Sequence, residues 1–186
     1  MPVGNVPNPA ADAERRGIPL SRQGDTFESF DLKRNPTMRD AKKQTMAVVK
    51  GEAWCALLTG SYGTGKSHLA YAAANKCREK GWPYRCWKAP DFLDYLRGTF
   101  DDPTMPAVEE LITNYARKFL LVIDDLGAEK NTEWASEQFY RLLDKRYEAK
   151  APTIITTNVD ASRIDGRIIS RFREGLVWCE GTDQRG

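Results

Sequence analysis

The chain has 186 residues, 41% of them hydrophobic, which is enough to bury one substantial core and makes a single domain the default expectation. Its formal net charge is only +2, so overall charge neither requires nor excludes a nucleic-acid partner. There is no hydrophobic signal core and no apolar run of the about 18 residues that a membrane span needs, which predicts a cytoplasmic protein without a membrane partner. One histidine and four scattered cysteines exclude metal sites built on paired histidines or cysteines.

The first part of the chain has the composition of a tail. Residues 1–24 contain four prolines, few apolar residues and no periodicity, which predicts a flexible segment ahead of one domain over residues 25–186. Phe27 and Phe30 follow, and these aromatic residues could either cover an adenine ring or close the core. Phe27 is therefore a candidate nucleotide contact. The pair Asn35 and Pro36 predicts the start of a helix that ends at Gly51.

Residues 60–67 fit the P-loop pattern of a glycine, four residues, then Gly-Lys-Ser. The glycines let the main chain curl until its N–H groups converge on phosphate oxygens, and the following helix adds its positive end. An apolar run over residues 53–59 predicts the strand before the loop, and residues 67–80 have the apolar spacing of the helix after it. The predicted contacts with a nucleoside triphosphate are Gly60, Ser61, Tyr62, Gly63, Thr64, Gly65, Lys66, Ser67 and His68.

Two of these side chains have specific chemistry. Lys66 would place its charge on the β- and γ-phosphates, and the Ser67 hydroxyl would ligate Mg²⁺. His68 is more simply a helix residue beside the loop. Nothing in this stretch alone distinguishes a kinase, a GTPase or a motor protein.

A second motif, after the P-loop, lies at the end of an apolar strand predicted over residues 119–123. Consecutive aliphatic residues that deliver Asp124 and Asp125 match the Walker B pattern, in which the first acid positions the Mg²⁺. Asp124 is therefore the predicted metal residue. Asp125 could orient or deprotonate the water that attacks the γ-phosphate. Aspartate is one methylene shorter than the glutamate that often has this role, so Glu129 is a second candidate.

The remaining segments complete an alternating pattern of strands and helices. Residues 83–88 and 152–157 are predicted strands, residues 107–116 and 132–150 are predicted helices, and a further helix begins at Pro90. Asn158 could bond the γ-phosphate or the attacking water, or it could be a turn residue. A last short strand is predicted over residues 176–179. The order predicts an α/β P-loop fold with a parallel five-stranded sheet flanked by helices.

Arginines recur at regular intervals along the predicted last helix. Arg163, Arg167 and Arg171 fall at i, i+4 and i+8, so they would share one helix face. Such a face is usually solvated. Alternatively, one arginine could reach the nucleotide of a neighbouring subunit, where an arginine finger is worth about 10³ to 10⁵ in rate.

Taken together, the motifs resemble the AAA+ ATPases of the DnaC/DnaI helicase-loader and IstB-like group, relatives of the replication initiator DnaA. The resemblance covers about residues 25 to 185, and its specific carriers are residues 26–31, 60–69, 121–129, 152–158 and 167–172. It implies ATP and Mg²⁺ as cofactors and an oligomer whose subunits share ATP.

The resemblance also implies roles for individual residues. Asn158 would be the sensor 1 residue, and Arg171 the arginine finger with Arg167 as the second choice. Arg185 in the terminal segment would sense the nucleotide. Helices between residues 90 and 116 would contact single-stranded DNA, and the phosphate-contact candidates there are Arg97, Arg117 and Lys118.

Two departures from the family pattern stand out in the sequence. Residues 1–24 cannot form the N-terminal domain that normally docks on the helicase, and no separate helical lid domain follows the last strand. We expect either that the tail docks on the helicase as a short peptide or that the chain is a reduced version of the family, such as a phage could encode. The resemblance implies an ATPase that loads a DnaB-type hexameric helicase onto single-stranded DNA. A transposition helper of the IstB type and a nucleotide-gated adaptor with little turnover are the alternatives.

Overall fold

A computed structural model describes residues 9–102, 104–117, 119–128, 132–160 and 164–181. In chain order the described elements are α1 (Pro9–Arg15), α2 (Arg39–Lys50), β1 (Cys55–Gly60), α3 (Lys66–Glu79), β2 (Tyr84–Lys88), α4 (Ala89–Asp101), α5 (Val108–Tyr115), β3 (Leu120–Asp124), α6 (Glu133–Ala149), β4 (Thr153–Thr157), α7 (Gly166–Arg171) and β5 (Leu176–Cys179). Short 3₁₀ helices cover Leu20–Arg22, Pro36–Met38 and Arg173–Gly175.

The five strands form one sheet in the order β2-β3-β4-β1-β5, and every neighbouring pair is parallel. This confirms the predicted fold. The three central strands are almost completely buried, because helices cover both faces of the sheet and each face needs apolar side chains. Since all five strands run in the same direction, their carboxyl ends meet at one edge, where ligands bind in open α/β sheets.

Two apolar layers enclose the sheet. On one face α2 and α3 pack with the segment around α1, with Val48, Leu69 and Tyr71 in this layer. On the other face α4, α5, α6 and α7 contribute Phe92, Leu142 and the rest of a second cluster. Among the described residues, no helix is both long and apolar enough to cross a bilayer.

The helix ends follow local sequence signals. Gly51 ends α2 in the left-handed conformation, at φ 77°, and the Thr132 side chain accepts a hydrogen bond from Ala135 N–H at the start of α6. The last helix is shorter than predicted. Asp165 caps it by accepting from Arg167 N–H at 2.9 Å, so α7 begins at Gly166. Arg163 lies outside the described residues.

The predicted flexible tail is wrong for residues 9–24. Ala13 and Ile18 are completely buried against the α3 layer, and Cys86 N–H in the edge strand β2 donates to Arg16 O at 2.9 Å. A Cβ added to Gly17 would lie 1.9 Å from Cys86 O, so the segment approaches β2 as closely as glycine permits. Residues 1–8 lie outside the described part of the chain.

Among the described residues, Arg146 of α6 is the largest completely buried side chain. Its guanidinium donates to the main-chain oxygens of Tyr115, Arg117, Phe119 and Pro152, and to Thr153 Oγ1. Burial lowers the pKa of Arg146 to about 9, so the side chain is still protonated at neutral pH. One cation therefore satisfies the carbonyls of the two loops that enter β3 and β4.

Replacement of Arg146 by methionine tests this arrangement. Methionine preserves much of the volume but leaves several buried carbonyls unpaired, so the free energy of unfolding should fall by at least about 3 kcal/mol. Urea denaturation measures the change. The control is Lys145→Met on the same helix, whose exposed pair with Glu109 at 3.8 Å should cost less than about 1 kcal/mol. Equal stability of the two variants would contradict the assignment.

Candidate active site

The loop between β1 and α3 adopts a conformation that only glycine allows at two positions. Gly60 has φ 136° and Gly65 has φ 102°, both in the region that disfavours side chains. A Cβ on Gly60 would lie 2.1 Å from Cys179 O, and one on Gly65 would lie 2.5 Å from Cε2 of Phe30. The loop is thus wedged between the end of β5 and an aromatic ring, which fixes its path.

Lys66 reaches back across this loop. Its ammonium donates to Gly60 O at 2.8 Å and to Ser61 O at 2.6 Å, and Thr64 Oγ1 lies 3.4 Å away. The residue is only 4% exposed. Gly65 precedes the first turn of α3 and has no side chain that could cap it, which suits main-chain N–H groups that bind an anion.

The two acids at the end of β3 are held by a single hydroxyl on β4. Thr156 Oγ1 donates to Asp124 Oδ1 at 2.6 Å and accepts from Asp125 N–H at 2.9 Å. Asp124 is 6% exposed, and its negative charge adds to burial in raising the pKa of Tyr71 well above its usual value. Tyr71 is therefore a neutral hydroxyl beside the carboxylate.

Asp125 leaves the strand in an unusual backbone conformation. Its φ is 64°, in the left-handed region where residues other than glycine are uncommon. Its Oδ1 accepts from Asn158 Nδ2 at 2.5 Å. The turn therefore pairs the predicted water-orienting acid with the predicted sensor residue, and such local strain is typical of functional sites.

These groups surround a cavity of about 590 Å³ at the carboxyl edge of the sheet. Nine residues predicted from the sequence line it: Tyr62, Gly63, Gly65, Lys66, Ser67, His68, Asp124, Asp125 and Asn158. Gly60, Ser61 and Thr64 belong to the loop but do not line the cavity. They contact the Lys66 ammonium and so fix its position. The structure thus brings the loop, the acids and Asn158 to one site.

Other predicted residues do not line this cavity. Phe27 is buried in the core, and Phe30 contributes the aromatic surface instead. Arg167 pairs with Asp165 and lies over the Tyr140 ring, 3.8 Å from its centroid. Arg171 donates to Asp144 Oδ1 at 2.5 Å and to the Tyr140 hydroxyl at 2.9 Å. Glu129 and Arg185 lie outside the described residues.

Several residues that line the cavity were not predicted from the sequence. Arg22 and Lys88 add two cations to the cavity wall, and Tyr71 lies on α3 one turn after Ser67. The helical spacing of Tyr71 and the place of Lys88 at the end of β2 are signals that could have identified both. Arg22 lies within the segment predicted as a tail, and no sequence motif indicates its contact with the site.

The residues present fit a nucleoside triphosphate with a magnesium ion. The first turn of α3, Lys66, Arg22 and Lys88 provide donors and positive charge for phosphates. The Ser67 hydroxyl and the Asp124 carboxylate line the same cavity, and oxygen ligands of this kind are those that Mg²⁺ prefers.

Comparison with known proteins agrees with this site. The family model described as IstB-like ATP binding protein matches residues 17–166. The chain belongs to this family. It shares the AAA+ P-loop fold with AMPPCP-bound DnaA from Aquifex aeolicus, at a TM-score of 0.70 and 25% identity over 84% of this chain and 49% of that one. Binding of ATP is thus a property of the family.

Two curated relatives have names that point to different processes, one to an insertion sequence and the other to replication. A putative ATP-binding protein of an insertion sequence from Mycobacterium tuberculosis is 28% identical over 137 residues, covering 72% of this chain and 53% of that protein. The replicative helicase loader DnaC of Escherichia coli K12 is 26% identical over 167 residues, covering 87% of this chain and 68% of that protein. The chain of this IstB-like protein thus spans about half to two thirds of the length of these relatives.

Proposed function

We propose that this chain is a Mg²⁺-dependent ATPase that serves DNA replication by loading a DnaB-type hexameric helicase onto single-stranded DNA. The observation that carries the ATPase proposal is the convergence of Lys66, Ser67, Asp124, Asp125 and Asn158 on one cavity. The match to DnaC over 167 residues supports the loader, whereas the IstB-like family model and the insertion-sequence protein support a transposition helper as the second candidate.

Each residue has a role that follows from its surroundings. Lys66 is held against the loop carbonyls, and its charge lies where the β- and γ-phosphates would be bound. Ser67 and Asp124 would hold the Mg²⁺, which supplies charge neutralisation on the phosphates when bound. The Thr156 bond fixes the orientation of Asp124.

Asp125 is the group best placed to act on the attacking water. Its carboxylate faces the cavity and shares a hydrogen bond with Asn158, so the two side chains can hold one water molecule between an acceptor and a polar amide. Asp125 would orient this water or take its proton. Glu129 remains a second candidate for this step.

The oligomer is proposed to share its ATP sites between subunits. Arg171 and Arg167 do not line the cavity of their own chain, which supports a contact with ATP on a neighbouring subunit. Arg171 is the preferred finger. It would have to exchange its bonds to Asp144 and Tyr140 for a phosphate on assembly.

Substitution of the proposed catalytic residues tests the ATPase activity. Lys66→Ala should abolish ATP binding, whereas Asp125→Asn should retain binding and lower kcat by at least about 100-fold, because a positioned base contributes 10² to 10⁴ in rate. Phosphate release against ATP concentration measures both parameters. Lys76→Ala on α3 and Asp94→Asn on α4 are the controls, since both side chains form exposed ion pairs. Unchanged hydrolysis in Lys66→Ala and Asp125→Asn would instead support an adaptor with little turnover.

A binding experiment separates the two biological roles. The purified chain is immobilised and exposed in turn to the replicative helicase and to a transposase from the same source, with ATP, ADP or no nucleotide. We expect helicase capture that depends on ATP and is lost in Lys66→Ala, together with hydrolysis stimulated by single strands. Failure of the helicase to bind in every nucleotide state would exclude the loader. Transposase capture with stimulation by duplex DNA would establish the alternative.

A further inference from the structure

Positive charge is concentrated in one short segment of this nearly neutral chain. Residues 33–50 contain six lysines and arginines and one aspartate, a net charge of +5, whereas the whole chain has +2. We call this set the α2 basic surface: Lys33, Arg34, Arg39, Lys42, Lys43 and Lys50. The remainder of the protein is thus slightly acidic.

The geometry of α2 places the helical members of this set together. Arg39, Lys42, Lys43 and Lys50 fall at i, i+3, i+4 and i+11, which confines them to a stripe about 100° wide on a helix. Ala41, Thr45 and Val48 are the buried residues of the opposite face and pack on the core. The cations therefore form one row, about 16 Å long at 1.5 Å per residue.

These cations lack carboxylate partners in the described part of the chain, apart from Lys50, which lies 4.0 Å from Glu52. Cations on other helices are paired, as Lys76 is with Glu79 and Arg97 with Asp94. A row of unpaired charges raises the free energy of the protein through mutual repulsion, and a polyanion would remove this repulsion.

We propose that the α2 basic surface binds the phosphate backbone of nucleic acid. The proposal rests on the proposed function in taking nucleic acid as a ligand, and it assigns the contact to a specific helix. Duplex DNA carries one charge per about 1.7 Å of its axis, so the row can face several phosphates at once. Lysine and arginine contacts of this kind position a protein on nucleic acid without reading its sequence.

The helices expected to contact DNA from the family resemblance have the opposite charge. Residues 89–118, which include α4, α5 and the three phosphate-contact candidates, contain six acidic residues, two arginines and one lysine, a net charge of −3. Lys118 lies outside the described residues. Of these arginines, Arg97 is paired with Asp94 at 2.8 Å and lies over the Trp134 ring. Phosphates would be repelled from this surface as a whole, whereas α2 attracts them.

An anionic membrane would be attracted to the same charges but needs apolar side chains beside them. Helices that lie in a membrane interface bury an apolar face that includes large residues. The large hydrophobic residues exposed in the described part of the chain are Leu20, Tyr62, Trp82, Phe100 and Trp178, and none belongs to α2. The α2 basic surface therefore has the charge but not the apolar contact of a membrane anchor.

The test compares two triple variants with equal loss of charge. The first is Arg39→Gln/Lys42→Gln/Lys43→Gln, and the control is Lys80→Gln/Lys145→Gln/Arg173→Gln, whose positions are dispersed over the molecule. Fluorescence anisotropy measures their affinity for a labelled single strand of thymidines and for a labelled duplex of the same length, over a salt series. Circular dichroism and ATP affinity check that each variant is folded.

We expect the α2 variant to bind at least about tenfold more weakly at low salt, and its slope of log affinity against log salt to fall by about 2 for single strands and about 2.7 for duplex. The control should change little. Equal affinity of the α2 variant and the wild type, or equal losses in the two variants, would overturn the assignment to α2. No binding of the wild type to either probe would overturn both this inference and the nucleic-acid part of the proposed function. Binding to phosphatidylserine vesicles that depends on the same residues, without nucleic-acid binding, would replace nucleic acid by a membrane.

Discussion

The candidate active site depends on the parallel register of the central strands. Thr59 of β1 lies opposite Thr157 of β4, and Ile123 of β3 lies opposite Ile155 of β4, so the three strands end at nearly the same level. Main-chain hydrogen bonds fix this level, and the residues that follow each strand meet at one edge as a consequence. The P-loop, the acids and Asn158 are thus brought together by the backbone, before any side chain makes a contact.

The strand register brings these residues to one edge, and side-chain hydrogen bonds then orient them. The Thr156 hydroxyl connects the Asp124 carboxylate with the Asp125 main chain, and Asn158 holds the Asp125 carboxylate. On the other side, loop carbonyls hold the Lys66 ammonium. These groups are largely withdrawn from water, where their electrostatic interactions are stronger than at the surface, so the site is organised before a ligand arrives. At the opposite edge of the sheet, Arg146 secures the loops that lead into β3 and β4.

The sheet, and the P-loop and acids that line the cavity, could be predicted from the sequence because both leave strong local signals. Buried parallel strands appear as continuous apolar runs, and the P-loop requires glycines at fixed spacing. The packing of residues 9–24 left no such signal, because it depends on the burial of Ala13 and Ile18, on one main-chain bond to β2, and on bonds from α3 side chains to main-chain oxygens. The left-handed turn at Asp125 was equally hidden, since aspartate does not require that conformation. Phe27 and Phe30 are equivalent in the sequence, and only the fold determines that Phe30 faces the cavity.

The central claim is that the cavity between the P-loop and the ends of β3 and β4 binds ATP together with Mg²⁺. Calorimetric titration with a non-hydrolysable ATP analogue, with and without Mg²⁺, tests it most directly on the wild type and on Asp124→Asn. The account predicts one site per chain, tighter binding with Mg²⁺ in the wild type, and loss of that Mg²⁺ effect in Asp124→Asn with Mg²⁺-free binding retained. Binding that is absent, or a Mg²⁺ effect that survives the substitution, would contradict it.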